Sequence, residues 1–193
     1  RYRVLERIAA GGMGQVYRAA HTRIACLFAV KVLYGDIAFD EAMLSRFLRE
    51  AEVASVLQSR HIVRVVDFGQ STGGLPYLVM EYLDGPTLFD VVTRGGPVAP
   101  DRAIRIAQRI ARGLAHAHAR GIVHRDLKTE NVILAREDDE TDIPKLLDFG
   151  VARLREGDRL TSAGIVLGTP LYMAPDQFEG AEVDARADLY ALG

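Results

Sequence analysis

The chain has 193 residues, 49% hydrophobic and 26% charged, with a formal net charge of −2. This is the balance of a soluble globular polypeptide long enough for one domain or two small lobes, and it excludes a long disordered tract. With no surplus of Lys and Arg it also excludes a nucleic-acid binder driven by phosphate contacts, and the single cysteine, Cys26, allows no internal disulfide and fits a reducing compartment.

Along the first thirty residues, "RYRVLERI", "GQVYRAAHT" and "IACLFAVKVL" alternate as strands and predict a twisted antiparallel meander. From Asp40 to Gln58 the period becomes helical, with Met43, Leu44, Phe47, Leu48, Ala51, Ala54 and Leu57 near one face. Two more strand-like runs follow, "HIVRVVDFG" and "LPYLVMEYL", joined by "QSTGG". The composition then turns helix-rich at "DGPTL". A long helix is predicted over 101–120, with Ile104, Ala107, Ile110, Leu114 and Ala117 as its apolar stripe and Gly121 as its capping glycine. Beyond it "IVH", "NVILA" and "PKLLDFG" read as small strands, and the acidic "REDDETD" as a solvated turn. No apolar run approaches the roughly 18 residues of a membrane span.

Four short stretches carry chemistry. In "IAAGGMGQVY" the glycines Gly11, Gly12 and Gly14 leave room for backbone to approach phosphate oxygens and tolerate a positive φ. Lys31 lies in the apolar strand "FAVK", where a lysine either snorkels to the surface or finds a partner. Glu50 on the following helix falls between the apolar positions and is the expected partner, with Glu52 as its competitor. "HRDLKTEN" packs Asp126, Lys128 and Asn131 between apolar runs, a proton acceptor, a cation and an amide oxygen. "LDFG" adds Asp148 at a strand end. Asn131 and Asp148 make an oxygen pair suited to a hard divalent cation.

In this order, and over the whole chain, these stretches together with "MEYL", "GTPLYMAPD" and "DARADLYALG" resemble the bacterial, eukaryotic-like serine/threonine protein kinases. The resemblance implies an α+β bilobal fold. Residues 1–83 would form an antiparallel-sheet lobe with one major helix, and residues 84–193 part of a mainly helical lobe whose remaining helices lie beyond this stretch. It implies transfer of the ATP γ-phosphate to Ser or Thr hydroxyls of proteins, with Mg²⁺ (or Mn²⁺) as cofactor. Residues Ile8, Ala9, Ala10, Gly11, Gly12, Met13, Gly14, Val16 and Ala29 would cover the nucleotide, and Lys31, paired to Glu50, would meet its phosphates. Met80 would be the gatekeeper, and Glu81 to Leu83 the hinge that bonds the base. Asp126 would accept the hydroxyl proton, Lys128 would stabilise the γ-phosphate, and Asn131 and Asp148 would hold the metal. Arg125 resembles the arginine of kinases switched by phosphorylation of their own activation segment. Thr161 and Ser162 would be the acceptors there, and kinase–kinase dimers the route. Thr169 and Lys128 favour Ser/Thr specificity, and Asp188 would brace the backbone at His124 and Arg125, unless it only caps a helix. The setting implied is cytoplasmic, with any membrane anchor outside these residues.

The pattern is broken in places. Ala9 replaces the first loop glycine and is expected to weaken ATP binding without abolishing it. Asp176 stands where the family has glutamate, and Thr129 where it commonly has proline. Two other readings compete. A pseudokinase scaffold is disfavoured because Lys31, Glu50, Asp126, Asn131 and Asp148 are all present. A small-molecule kinase is disfavoured because "GTPLYMAPD" resembles a peptide-docking platform.

Overall fold

The computed structural model describes residues 1–38, 40–137, 139–149, 170–178 and 183–193. Thr161, Ser162 and Thr169 lie outside the described residues. The chain divides into two compact units, residues 1–58 with 63–83, and residues 59–62 with 84–193.

The first unit is a five-stranded antiparallel sheet in the order β1-β2-β3-β5-β4. Its strands are β1 (Tyr2–Ala10), β2 (Gly14–His21), β3 (Leu27–Leu33), β4 (Val65–Gln70) and β5 (Pro76–Glu81). A short helix α1 (Gly35–Ala38) precedes the major helix α2 (Glu41–Val56). Asp40 starts α2 as N-cap, its carboxylate accepting from the amides of Ala42 and Met43. Phe47, Ala51, Ala54 and Leu57 are buried as the periodicity predicts, whereas Leu48 is exposed on the flank of that face.

Strand register sorts side chains onto two faces, because cross-strand partners share a face and alternate residues return to it. Lys31 pairs with Val16 and Leu78, and Ala29 pairs with Met80, so these lie together on the face that carries α2. There the Phe47 ring meets Phe68 at 6.0 Å. The opposite face holds Ala19, Val30 and Val79 beneath Tyr2, Phe28, Val32 and Tyr77. Tyr2 sits edge-on to Phe28 and Tyr77, at centroid distances of 5.5 and 6.5 Å. Strand β1 lies at the sheet edge and is exposed through nearly its whole length, so its alternation leaves Val4, Leu5 and Ile8 in solvent.

The second unit is built on α3 (Leu88–Gly95), α4 (Pro100–His118) and the hairpin β6 (Val132–Glu137) and β7 (Glu140–Leu146), followed by α5 (Pro175–Phe178) and α6 (Arg186–Leu192). Helix α3, which the sequence reading did not anticipate, begins with a reciprocal capping box between Thr87 and Asp90. Helix α4 ends as expected, with Gly121 at φ +71°. Its buried stripe is shifted from the prediction: Ile104 is 54% exposed, and Ile106 joins Ile110, Gly113, Leu114 and Ala117 inside. At Gly113 a Cβ would come within 3.0–3.1 Å of Leu146 and His61, so the glycine is what lets the helix lie against β7 and the 59–62 segment. Ile62 of that segment bridges to Leu146 in parallel, and the Leu146 amide donates to the His61 carbonyl.

Two expected local structures are different. Ile122–His124 form no strand, because the chain there is fixed by side chains instead of a ladder. The acidic "REDDETD" is no mere solvated turn: it supplies the ends of β6 and β7. Three of its carboxylates have partners among the described residues: Glu137 has Arg60 (3.0 Å) and Lys145 (2.8 Å), Glu140 has Arg60 (2.6 Å) and Arg109, and Asp142 has two nitrogens of the Arg102 fork at 2.7 and 2.8 Å. Opposite charges on α4 and at Arg60 make a charged hairpin tip part of the packing.

Candidate phosphotransfer site

In the first unit Lys31 is taken up rather than snorkelled. Its ammonium donates to Glu50 Oε1 at 2.9 Å, and the two side chains are only 12% and 10% exposed. Glu52, one residue-pair further along α2, is exposed. The helical period decides this: Glu50 lies one turn after Phe47 and one turn before Ala54, on the face turned to the sheet.

The glycine loop separates into two kinds of position. At Gly14 a Cβ would overlap the Val32 carbonyl, so this glycine is required by the close approach of β2 to β3. At Gly11 and Gly12 a Cβ would meet nothing within 4 Å, and neither residue has a positive φ. The freedom to take a positive φ is therefore not used at the tip, and the fold itself has no steric need for glycine at Gly11 and Gly12. The turn closes through the Gly11 amide donating to the Gly14 carbonyl at 2.9 Å. Ala9 pairs with Val16 in the ladder, directly after a register shift between Arg7 and Ala9, while Ile8, Ala9 and Ala10 are exposed and Met13 half-buried. Ala29 and Met80 are buried. Glu81 turns its carboxylate to the Arg64 amide at 2.8 Å and its own amide to the Arg64 carbonyl, which fixes the start of the stretch to Leu83.

In the second unit the stretch from His124 to Asn131 is held from within. Asp188, 1% exposed in the first turn of α6, accepts from the amides of His124 and Arg125, each at 2.8 Å, and from His118 Nε2 at 2.7 Å. It makes no capping bond to its own helix, which settles the choice left open by its position. Arg125 has φ +65°, a left-handed backbone that turns consecutive N–H groups onto one carboxylate. A strained φ of this kind costs about 1–3 kcal/mol, and hydrogen bonds to a charged group contribute about 1.5–3 kcal/mol each, so Asp188 outweighs the strain it imposes.

His124 is fully buried and its two ring nitrogens have distinct tasks: Nε2 donates to the Leu147 carbonyl at 2.9 Å, and Nδ1 accepts from the Asp126 amide at 3.3 Å. That is the neutral tautomer, and burial lowers the ring's pKa in the same sense. Its ring also packs on Phe149 at 4.6 Å. Thus the residue before Asp148 and the residue after it are both tied to His124, while Asp148 itself takes φ +44° and is exposed.

Asp126 is the centre of the cluster. Lys128 Nζ donates to its Oδ2 at 3.0 Å, and Asn131 Nδ2 donates both to its carbonyl at 2.9 Å and to Oδ2 at 3.1 Å. With its NH₂ spent in this way, Asn131 can offer a cation its amide oxygen. The donor set of Asn131 and Asp148 is all oxygen, which fits a hard divalent ion that completes its shell with phosphate and water. Among the described residues no group of three or more His, Cys, Asp or Glu side chains could hold a metal by itself. Sequence reasoning missed two supports. His118 could have been found from its place one turn after Leu114 on the buried side of α4. Gln177, which donates to the Arg125 carbonyl and accepts from the Ala174 amide, both at 3.0 Å, carries no comparable signal.

This architecture is similar to a solved structure, the kinase domain of PknI from Mycobacterium tuberculosis, with a TM-score of 0.72, 34% identity, and coverage of 99% of this chain and 70% of that one. The "Protein kinase domain" family model matches residues 2–193, and the chain belongs to that family. Relatives include the serine/threonine-protein kinase pkn2 of Myxococcus xanthus, 45% identical over 196 residues, which cover all of this chain and 23% of pkn2. PknB of Mycolicibacterium smegmatis is 42% identical over 198 residues, again all of this chain and 31% of that protein. The chain therefore spans about a quarter to a third of the length of these curated relatives. Membership implies use of ATP with a divalent metal. No helix among the described residues is long and apolar enough to cross a membrane.

Proposed function

We propose that this chain is the catalytic part of a serine/threonine protein kinase, transferring the ATP γ-phosphate to Ser or Thr hydroxyls of proteins, its own activation segment included. The observation that carries the reading is the Asp126–Lys128–Asn131 cluster, a carboxylate held in one orientation by a cation and an amide on the same loop. Such a carboxylate orients an incoming hydroxyl and takes its proton as the oxygen attacks phosphorus, while Lys128 balances charge on the transferring group. Lys31, aimed by Glu50, binds the α- and β-phosphates. Val16, Ala29 and Met80 line the adenine side, with the backbone from Glu81 to Leu83 bonding the base. Bound at Asn131 and Asp148, Mg²⁺ would supply charge neutralisation between the phosphates.

Phosphoryl transfer needs positioning and charge more than covalent help, which is why so few side chains suffice. Lys128 two residues after Asp126 supports hydroxyl acceptors on Ser and Thr, as does Thr169. The names of pkn2 and PknB, serine/threonine-protein kinases, support the same choice. The test is transfer of label from γ-labelled ATP to the full-length protein and to a basic protein substrate, against Asp126→Asn. We expect the variant to lose about 10²–10⁴-fold in rate. Label in the wild type no higher than in the variant would mark a nucleotide-binding scaffold. Label on a small alcohol but on no protein would mark a metabolite kinase.

A further inference from the structure

Thr129, at a position where the family resemblance implies proline, makes contacts that proline cannot. Its hydroxyl donates to Glu130 Oε2 at 3.1 Å. The single proton of Thr129 is then committed to a carboxylate, so in the 3.1 Å contact between Thr129 Oγ1 and the Tyr172 hydroxyl the tyrosine is the donor. The result is a two-step relay, Tyr172 to Thr129 to Glu130, ending on a charge. Charge-assisted bonds of this kind are the stronger class.

Tyr172 opens the stretch Tyr172–Gln177, whose far end is tied to the loop independently. There Gln177 spans the Arg125 carbonyl and the Ala174 amide. Ala174 is buried, and Tyr172, Met173 and Gln177 share a small cavity with Asp126 and Lys128. Gln177 therefore holds one end of the stretch, and the Thr129 contact holds the Tyr172 end.

We infer that Thr129, acting through Tyr172, is a positioning residue for the protein acceptor: it sets the "LYMA" stretch relative to Asp126, so that an acceptor peptide lying on that stretch presents its hydroxyl to the carboxylate. This rests on the protein-kinase reading above. Thr129 acts through Tyr172 and is not among the residues assigned to ATP, so its loss should act on acceptor placement and leave ATP handling alone.

The experiment uses the full-length protein with Thr129→Val, Thr129→Ser, Tyr172→Phe and the Thr129→Val/Tyr172→Phe double variant. For a peptide acceptor we expect Thr129→Val to raise KM about three- to tenfold, as loss of one neutral hydrogen bond, that to the Tyr172 hydroxyl, does. The KM for ATP should stay within about twofold, and Thr129→Ser, which keeps the hydroxyl, should restore the wild-type value. Tyr172→Phe should match Thr129→Val, and the double variant should be no worse than either, since one bond is broken once. Multiplying effects in the double variant, or a lowered Tm with an unchanged peptide KM, overturns the inference. Should the wild type transfer no phosphate at all, amide exchange still decides on the tether. Exchange at Met173 and Ala174 should quicken in Thr129→Val and not in Thr129→Ser, and equal rates in both overturn it.

Discussion

Glu50 and Glu52 show how one residue's place on a helix assigns a role. Both are acidic and close to Lys31 in sequence, but only Glu50 falls on the buried face and meets the ammonium at 2.9 Å. Replacing Glu50 with Gln withdraws the counter-charge from a nearly buried cation. We expect a stability loss of about 1–3 kcal/mol and a rise in KM for ATP, whereas Glu52→Gln leaves both unchanged. Chemical denaturation and steady-state kinetics on the two variants check this; equal effects would contradict the assignment. At Asp188 the expected loss is larger. Asp188→Ala strands the amides of His124 and Arg125 and relaxes the left-handed Arg125, so on the proposed function kcat should collapse with little change in KM for ATP. The Lys31–Glu50 pair was legible because a helical period fixes which side chains point inward. The three-fold use of Asp188 was legible only in part, because His118 lies seventy positions away and no local pattern links it to α6.

At the scale of elements, periodicity located most strands and both long helices, and it failed where tertiary contacts override it. Helix α4 turns Ile106 inward instead of Ile104 because Gly113, which a stripe of large apolar residues does not include, lies on the contact line with Leu146 and His61. Gly113→Ala should therefore destabilise the fold by about 1–3 kcal/mol through overpacking, read as a lowered midpoint in urea. The acidic hairpin tip misled the reading for a related reason. Its charges looked solvated because their partners, Arg60, Arg102 and Arg109, are far off in sequence. Arginines hold the carboxyls of Glu140 and Asp142 below the ordinary range, and the Lys145 and Arg60 bonds do so at Glu137 against a burial effect of opposite sign. Such groups stabilise the fold above their unfolded-state pKa, and the contribution is lost as pH falls through the folded value.

For the molecule as a whole, the buried His124 and the half-buried His61 set the first step of acid sensitivity. Burial depresses the pKa of His61 and His124 from 6.5, so below that pH the unfolded chain binds protons that the folded chain refuses. Stability should decline as pH falls from about 6.5, with a second decline in the carboxylate range from the hairpin tip. A Tm that stays flat from pH 7.5 to 5.5 would contradict this. Of the whole, the sheet unit and the chemistry-bearing stretches were readable from residue order, because each is local. The glycine loop was readable only in outline: Gly14 is needed for packing, and Gly11 and Gly12 are the positions where the protein leaves space.

The proposed reaction draws on side chains of both units, and one comparison tests this. Initial rates of γ-phosphate transfer would be measured for the full-length wild type, for Lys31→Met in the first unit and for Asp126→Asn and Asp148→Asn in the second, at saturating ATP and magnesium. If the proposed reaction holds, each of the three substitutions alone brings transfer down to nearly the same background. A Lys31→Met protein that transfers phosphate at the wild-type rate while Asp126→Asn is silent would contradict it.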